Sequence, residues 1–238
     1  MKAVKLAFLA AAILGSISSS GQTADELVDK YLNAIGGKEN LKKINSFIST
    51  GSMQVQGADV TIVSTVLQAK GNRQDIMVMG MNGYTIVTPT AGWTFMPWTG
   101  QTAAEEMPKE TVAQGGDQID AQGPLVDYKS KGHTVEFAGR EDVNGVSCYK
   151  LKINYKGGKQ DTWYLDPTTY YLLKSVTRLK VNGTDMEQTT TFSNYQKQAD
   201  GYVVPMSINV PLGMGINADL TLSKVEYNKP VDESVFKP

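Results

Sequence analysis

Covalent chemistry needs a nucleophile with a base beside it, or a metal with its ligands, and this chain is sparing with both. It holds one cysteine, Cys148, and one histidine, His133. A cysteine–histidine mechanism would require those two to meet, and neither stands in a motif that suggests it. His/Cys zinc sites of the common kinds cannot be assembled, and no disulfide can form within the chain. His133 follows Gly132 at an expected strand start, where a lone histidine is usually structural. Asp161, Asp166 and Asp185 fall where turns are expected, and aspartate there bonds the local backbone. No carboxylate pair is singled out for glycoside chemistry. Walker, H-E-x-x-H, C-x-x-C and G-x-S-x-G patterns are absent from the sequence. Gly213-Met214-Gly215-Ile216-Asn217-Ala218 matches a dinucleotide pattern on paper. Ala218, Leu220 and Leu222 then alternate with polar residues, which is a strand where that pattern needs a helix. The segment reads as a hairpin loop. The expectation is no enzyme, no cofactor and no metal.

The residues suited to binding are apolar. Met77, Met79 and Met81 alternate along one expected strand, and Trp93 and Phe95 stand at i, i+2 on another. Methionine is flexible and polarizable and suits surfaces that fit several apolar shapes, although it also fills gaps in ordinary cores. Val146 to Tyr155 is the cleanest alternation in the chain. Tyr149, Leu151 and Ile153 share one face there, and Lys150 and Lys152 share the other. Met77, Met79, Trp93, Phe95, Tyr149, Leu151 and Ile153 are therefore the candidate lining of an apolar site. Cys148 falls on the lysine-bearing face and reads as a small space-filler.

The elements that must position these residues are mostly strands. Thr23-Ala24-Asp25-Glu26 is a capping-box pattern, with Thr23 as N-cap and Glu26 three residues on. Leu27, Val28, Tyr31, Leu32 and Ile35 then fall on one helical face, which Gly36-Gly37 ends. A short second turn runs from Lys38 to Ile44. From Ser46 the period becomes two, with strands expected at 46–56, 58–69, 73–81, 84–88 and 93–98. Asn82-Gly83 is the strongest hairpin signal among their connections. Gln101 to Gly132 breaks the alternation and reads as loop plus weak helix, with Pro124–Lys131 a short helix of its own. Strands resume at 133–140, 146–155, 162–165, 171–181, 186–195, 202–210 and 217–227, with turns that include Asn144-Gly145 and Asn182-Gly183. Sheets with one greasy and one charged face are antiparallel with one side wet. About a dozen such strands in succession favour one large curved sheet over two domains.

Of 238 residues, 41% are apolar and 20% charged, with 23 basic against 24 acidic. That balance suits a packed core and argues against nucleic acid, which calls for a clustered positive surface. Met1 to Gly21 carries Lys2 and Lys5 ahead of an apolar run, Leu6 to Leu14, and then small residues. It reads as a secretory signal peptide, too short to span a membrane, with cleavage near Gly21/Gln22. Residues 22–238 are then expected to form one exported domain.

Several segments together resemble the LolA-like superfamily of periplasmic outer-membrane lipoprotein-sorting proteins. They are Ala34-Ile35-Gly36-Gly37-Lys38-Glu39, the run Gly123-Pro124-Leu125-Val126-Asp127-Tyr128 through His133, and Asp142-Val143-Asn144-Gly145 with Tyr149-Lys150-Leu151. Tyr164-Leu165-Asp166-Pro167-Thr168-Thr169-Tyr170 and the ending Pro230-Val231-Asp232-Glu233-Ser234-Val235-Phe236 complete the pattern. Each is mostly turns and alternation, and their order and spacing carry the resemblance over nearly all of the mature chain. It implies a mainly β (α+β) fold, an unclosed antiparallel half-barrel whose apolar concave side is covered by helices. It also implies a periplasmic carrier that shields the acyl chains of a lipoprotein or lipid, between an inner-membrane transporter and an outer-membrane acceptor. A lipid-sensing module on the same fold is the alternative. Carriers of this kind have an arginine at the start of an early strand that bonds to the lid. Arg73 is its nearest counterpart here, and pairing with Asp75 on the same strand face is the competing role. No disulfide-linked partner is implied.

Overall fold

The computed structural model describes residues 23–181, 184–213 and 215–238. The expected signal peptide, its cleavage site, the Asn182-Gly183 turn and Met214 lie outside those residues.

The capping box forms as its residues require. Thr23 accepts from the Glu26 amide at 3.2 Å, and Glu26 accepts from the Thr23 amide at 3.0 Å. It opens helix α1 (Ala24–Ala34), whose Leu27, Val28 and Leu32 are buried. A single turn, α2 (Lys38–Leu41), follows. The strands are β1 (Ser46–Val55), β2 (Ala58–Leu67), β3 (Gly71–Val78), β4 (Met81–Val87), β5 (Gly92–Phe95) and β6 (Glu105–Glu106). After a short helix α3 (Lys109–Gln114) come β7 (Thr134–Val143), β8 (Val146–Asn154), β9 (Gln160–Leu165) and β10 (Leu172–Val181). The last three are β11 (Thr184–Lys197), β12 (Val203–Gly213) and β13 (Ile216–Tyr227).

All thirteen strands form one sheet in the order β6-β5-β4-β3-β2-β1-β13-β12-β11-β10-β9-β8-β7. Neighbours pair antiparallel, and β6 and β7 are left as open edges, so the sheet is not closed into a barrel. Among the described residues the one pairing between strands far apart in sequence is β1 on β13, the first and last strands. Register between strands shifts at Thr50/Gly51, Phe137/Arg140, Leu172/Lys174 and Pro211/Gly213. Each shift bends the strand and changes which residues face inward.

Three local expectations differ from the structure. The β3–β4 turn is at Met79-Gly80, with φ of 51° and 80°, and Asn82-Gly83 lies inside β4. Gly83 is needed there for space, because a Cβ would meet the Phe95 carbonyl at 2.5 Å and the Trp98 ring at 2.7 Å. Residues 124–131 form successive turns rather than a helix. Asp127 takes φ of 48° in their midst, which breaks any helical run. Asp161, expected at a turn, lies within β9 and is buried. In addition β5 ends at Phe95, and a 3₁₀ turn (Pro97–Thr99) replaces the rest of the expected strand.

Candidate functional site

Strand alternation and register sort the sheet into two faces. On β8, Tyr149, Leu151 and Ile153 face α1 and are buried with Leu27, Val28 and Leu32, together with Leu125 and Val126 of the turn segment. Lys150 and Lys152 point the other way, where Lys150 pairs with Glu141 at 2.5 Å. The three inner residues of β8 therefore sit in packed core, and Leu151 has no exposed surface.

Arg73, Met77, Trp93 and Phe95 belong to the opposite face. Register places Arg73 across from Ile86 and Ile86 across from Trp93, with Tyr84 and Phe95 the next pair. The C-terminal residues lie on this outer face: Phe236 is buried with Leu67 and Ile86, and Val231, Val235, Tyr84 and Trp93 pack around them. Phe236 rests on Gly71, where a Cβ would come within 2.6 Å of its ring. Arg73 donates to the Val235 carbonyl at 3.0 Å and pairs with Asp75 at 2.8 Å, and its guanidinium stacks over Tyr84. Arg73 thus secures the C-terminal turn. Met77 is half exposed on the outer face, and Met79 is at the turn with 78% of its surface free. The eight candidate residues are not one site: three lie beneath α1, four on the outer face and one at a hairpin tip.

The apolar cavity lies elsewhere on the inner face. A hollow of about 350 Å³ opens between the helices and the sheet, lined by Tyr31, Ile35, Leu41, Phe47, Phe192 and Tyr227 among others. That is the low end for small-molecule sites. The same face continues past the helices. Phe47 leads along β1 to Met53, and register then places Ile62 and Ile76 beside that row on β2 and β3. On the other side, Leu220 and Leu222 of β13 and Ile208 and Val210 of β12 extend it. All of these beyond Phe47 are half buried. The result is an apolar strip open along its length, continuous with the hollow at one end. Its alternation is visible in each strand, but nothing local says that these strands share a face.

The segment before β7 spans the gap between the sheet's two ends. Its 3₁₀ turn (Gly115–Ile119) bonds to the β2–β3 connection through the Ala69 amide and Ile119 carbonyl, 2.9 Å. Gln68 donates to Asp120 at 3.1 Å, and Lys131 pairs with Asp120 at 2.5 Å. On the far side Lys159 pairs with Asp117. Gln122 donates to the Lys42 carbonyl at 2.9 Å, tying the segment to the end of α2. Helix α1 is held by Asp25, which accepts from Lys129 and from the Tyr128 hydroxyl, and those bonds keep its carboxyl below the usual range. Asp127 bonds Lys38 and Lys42, both at 3.0 Å, and is lowered for the same reason.

Cys148 and His133 are not brought together. Cys148 is buried with Tyr164 and Val176, and burial pushes its thiol up. His133 is at the other end of the β7–β8 pair, beside Tyr155, accepting the Lys156 amide at 3.2 Å. Among the described residues no group of His, Cys, Asp and Glu could hold a metal ion.

Among solved structures, a LolA superfamily protein from Nitrosomonas europaea matches with a TM-score of 0.56 at 14% identity, covering 92% of this chain and 99% of that one. The chain has the LolA-superfamily fold. A protein from Vibrio parahaemolyticus described as an outer membrane lipoprotein-sorting protein domain matches this chain at 0.54 and 15% identity, covering 89% and 94%. A DUF1329 family protein from Desulfovibrio piger matches at 0.57 and 13%, covering 91% and 98%. No family model and no curated protein matches the sequence. The open thirteen-stranded sheet with helices on its apolar face is the LolA-like half-barrel, and the strip beyond α1 and α2 is its uncovered part.

Proposed function

We propose that this protein is an exported, periplasmic carrier that shields the hydrocarbon of an acylated lipoprotein or lipid against the inner face of its half-barrel. One observation carries the reading: the apolar inner face runs past the helices as a half-buried strip from Ile76 to Val210, continuous with the 350 Å³ hollow. A strip of this kind satisfies no packing need of the chain itself, and contiguous apolar surface left open usually awaits a ligand. The energy scale fits the task. Covering about 15 methylenes of one acyl chain at ~0.8 kcal/mol each comes to about 12 kcal/mol of gross transfer free energy. A carrier must offset much of that and still release the cargo, so an open, tolerant lining serves better than a tight hydrogen-bonded pocket. An inner-membrane transporter that loads it and an outer-membrane acceptor that unloads it complete the proposed route.

The test has two parts. Lipids that co-purify with the periplasmic protein are identified by mass spectrometry, and a fluorescent acyl probe is titrated into the lipid-free protein. Saturable probe binding that an added acyl lipid displaces is the expected result. An absence of bound lipid under gentle purification together with no probe binding would remove the carrier reading.

A further inference from the structure

A polar row crosses the apolar inner face. Register sets Ser49 of β1 opposite Ser64 of β2, Ser64 opposite Gln74 of β3, Gln74 opposite Thr85 of β4, and Thr85 opposite Thr94 of β5. Two residues along the strands, roughly 7 Å away, lie Ile62 and Ile76 of the open strip. Two residues the other way, Phe47 and Val66 line the apolar hollow. On β13 it is Val225 that faces Ser49, so the polar row belongs to β1–β5. An inward face that served packing alone would carry apolar residues in this row as it does in the rows on either side.

The row opens into a second hollow of about 280 Å³, between the sheet and the segment that carries α3 and the 3₁₀ turn after it. Asn72, Gln74 and Thr85 form its floor, and Met107, Thr111 and Gln118 form its roof. The Met107 amide seats the roof by donating to the Gly92 carbonyl at 2.8 Å. Asn72 is only 6% exposed, and its Oδ1 accepts from the Ser64 hydroxyl at 3.5 Å while its Nδ2 donates to no described residue. Among the described residues the side chains of Gln74, Thr85, Thr111 and Gln118 have no hydrogen-bond partner either. Buried amides and hydroxyls are ordinarily paired, so this cluster holds donors and acceptors ready for a ligand. None of the residues lining the hollow is charged. A phosphate or carboxylate placed there would lose its water and meet no cation, which is costly.

We propose that this hollow seats the uncharged head of the acyl ligand, pairing with the hydroxyls and ester carbonyls of an acylated glycerol while the hydrocarbon runs over Ile62 and Ile76 along the strip. The proposal rests on the carrier reading for the acyl chain and adds a selection for neutral heads over anionic ones. A free acylglycerol and the diacylglyceryl group of a lipoprotein both present that chemistry.

Displacement of a fluorescent acyl probe from the mature protein tests it. The competitors are monooleoylglycerol, oleoyl lysophosphatidate, octadecene and a peptide whose N-terminal cysteine carries a diacylglyceryl group. Monooleoylglycerol should displace the probe at a concentration about tenfold below that of lysophosphatidate or octadecene. Gln74 is half buried and unpaired, so Gln74→Leu should melt at or above the wild-type temperature. Its affinity for monooleoylglycerol should fall about three- to tenfold while octadecene binds no worse. Thr85→Val keeps the shape of the side chain and should weaken monooleoylglycerol about two- to fivefold. The peptide displacing the probe at a lower concentration than monooleoylglycerol would sustain the site and assign its head to a lipoprotein; the reverse order would sustain it for a free lipid. Equal displacement by the neutral, anionic and headless competitors would overturn the head site and leave the carrier reading standing. A preference for lysophosphatidate, or a neutral-head preference unchanged in both variants, would overturn it as well. Protein that binds no acyl probe at all would remove the carrier reading and the head site together.

Discussion

Truncating Leu151 and Ile208 to alanine separates the filled part of the inner face from the open part. Leu151 has no exposed surface and belongs to the cluster that joins β8 and β9 to α1. Leu→Ala removes about three carbons, worth ~2.4 kcal/mol at ~0.8 kcal/mol per methylene. A cavity that closes only partly raises the cost to about 2.5–5 kcal/mol. Ile208 is partly exposed on the open strip, so the same truncation leaves no sealed cavity and should cost no more than the ~2.4 kcal/mol transfer contribution. Ligand binding should show the reverse order. Ile208→Ala should shift acyl-probe affinity several-fold, and Leu151→Ala should leave it within about twofold once compared under conditions where both proteins are folded. Urea unfolding followed by tryptophan fluorescence reads stability, helped by Trp163 lying directly across from Leu151 on β9. A loss below ~1 kcal/mol for Leu151→Ala with weakened probe binding would mean that α1 covers a cavity rather than a core. A core-sized loss for Ile208→Ala with unchanged affinity would mean that the strip is filled by the chain, and the reasoning about the open face would fail.

Other outcomes follow from single contacts. Arg73→Leu removes the bond to Val235 and the pair with Asp75, so amide exchange at Val235 and Phe236 should quicken while acyl-probe retention stays the same; an altered rate of probe release would instead make Arg73 a lid residue. Gly71→Val sets a side chain against the Phe236 ring, and digestion by carboxypeptidase should then remove the C-terminal residues faster than in the wild type. Burial, and then the nearby Lys131, hold the His133 imidazolium below its usual range. A depressed histidine contributes stability that is whole above about pH 6.5 and is lost as pH falls through the lower folded value. Melting temperature should therefore decline below pH 6.5, less so in His133→Asn, and an identical decline in both would dismiss His133 as the cause.

Much of this protein is local enough to be decided by neighbouring residues. The capping box at Thr23 and Glu26, the amphipathic face of α1 and the inward-facing triplet Tyr149, Leu151 and Ile153 depend on contacts within a few positions or on simple alternation. A run of strands ending in turns also makes a one-sided antiparallel sheet legible before any coordinates. What alternation cannot say is which face of one strand joins which face of another. Arg73 and Trp93 are grouped with Leu151 among the candidate residues, yet eight strand pairings separate β3 from β8 by way of β1 and β13, and each irregular pairing can exchange inside for outside. The shift at Thr50/Gly51 does so on β13, where Tyr227 and Val225 face inward with Phe47 and Ser49, and Leu222 and Leu220 take over beyond it. The β3–β4 turn shows the same limit at short range. Asn82-Gly83 has the better turn chemistry, but Gly83 is required beneath Trp98, and that distant ring moves the hairpin three residues earlier and puts a methionine at its tip. Local propensity selects the elements; packing across the sheet, a contest among residues far apart in the chain, decides their register and therefore where the apolar strip lies.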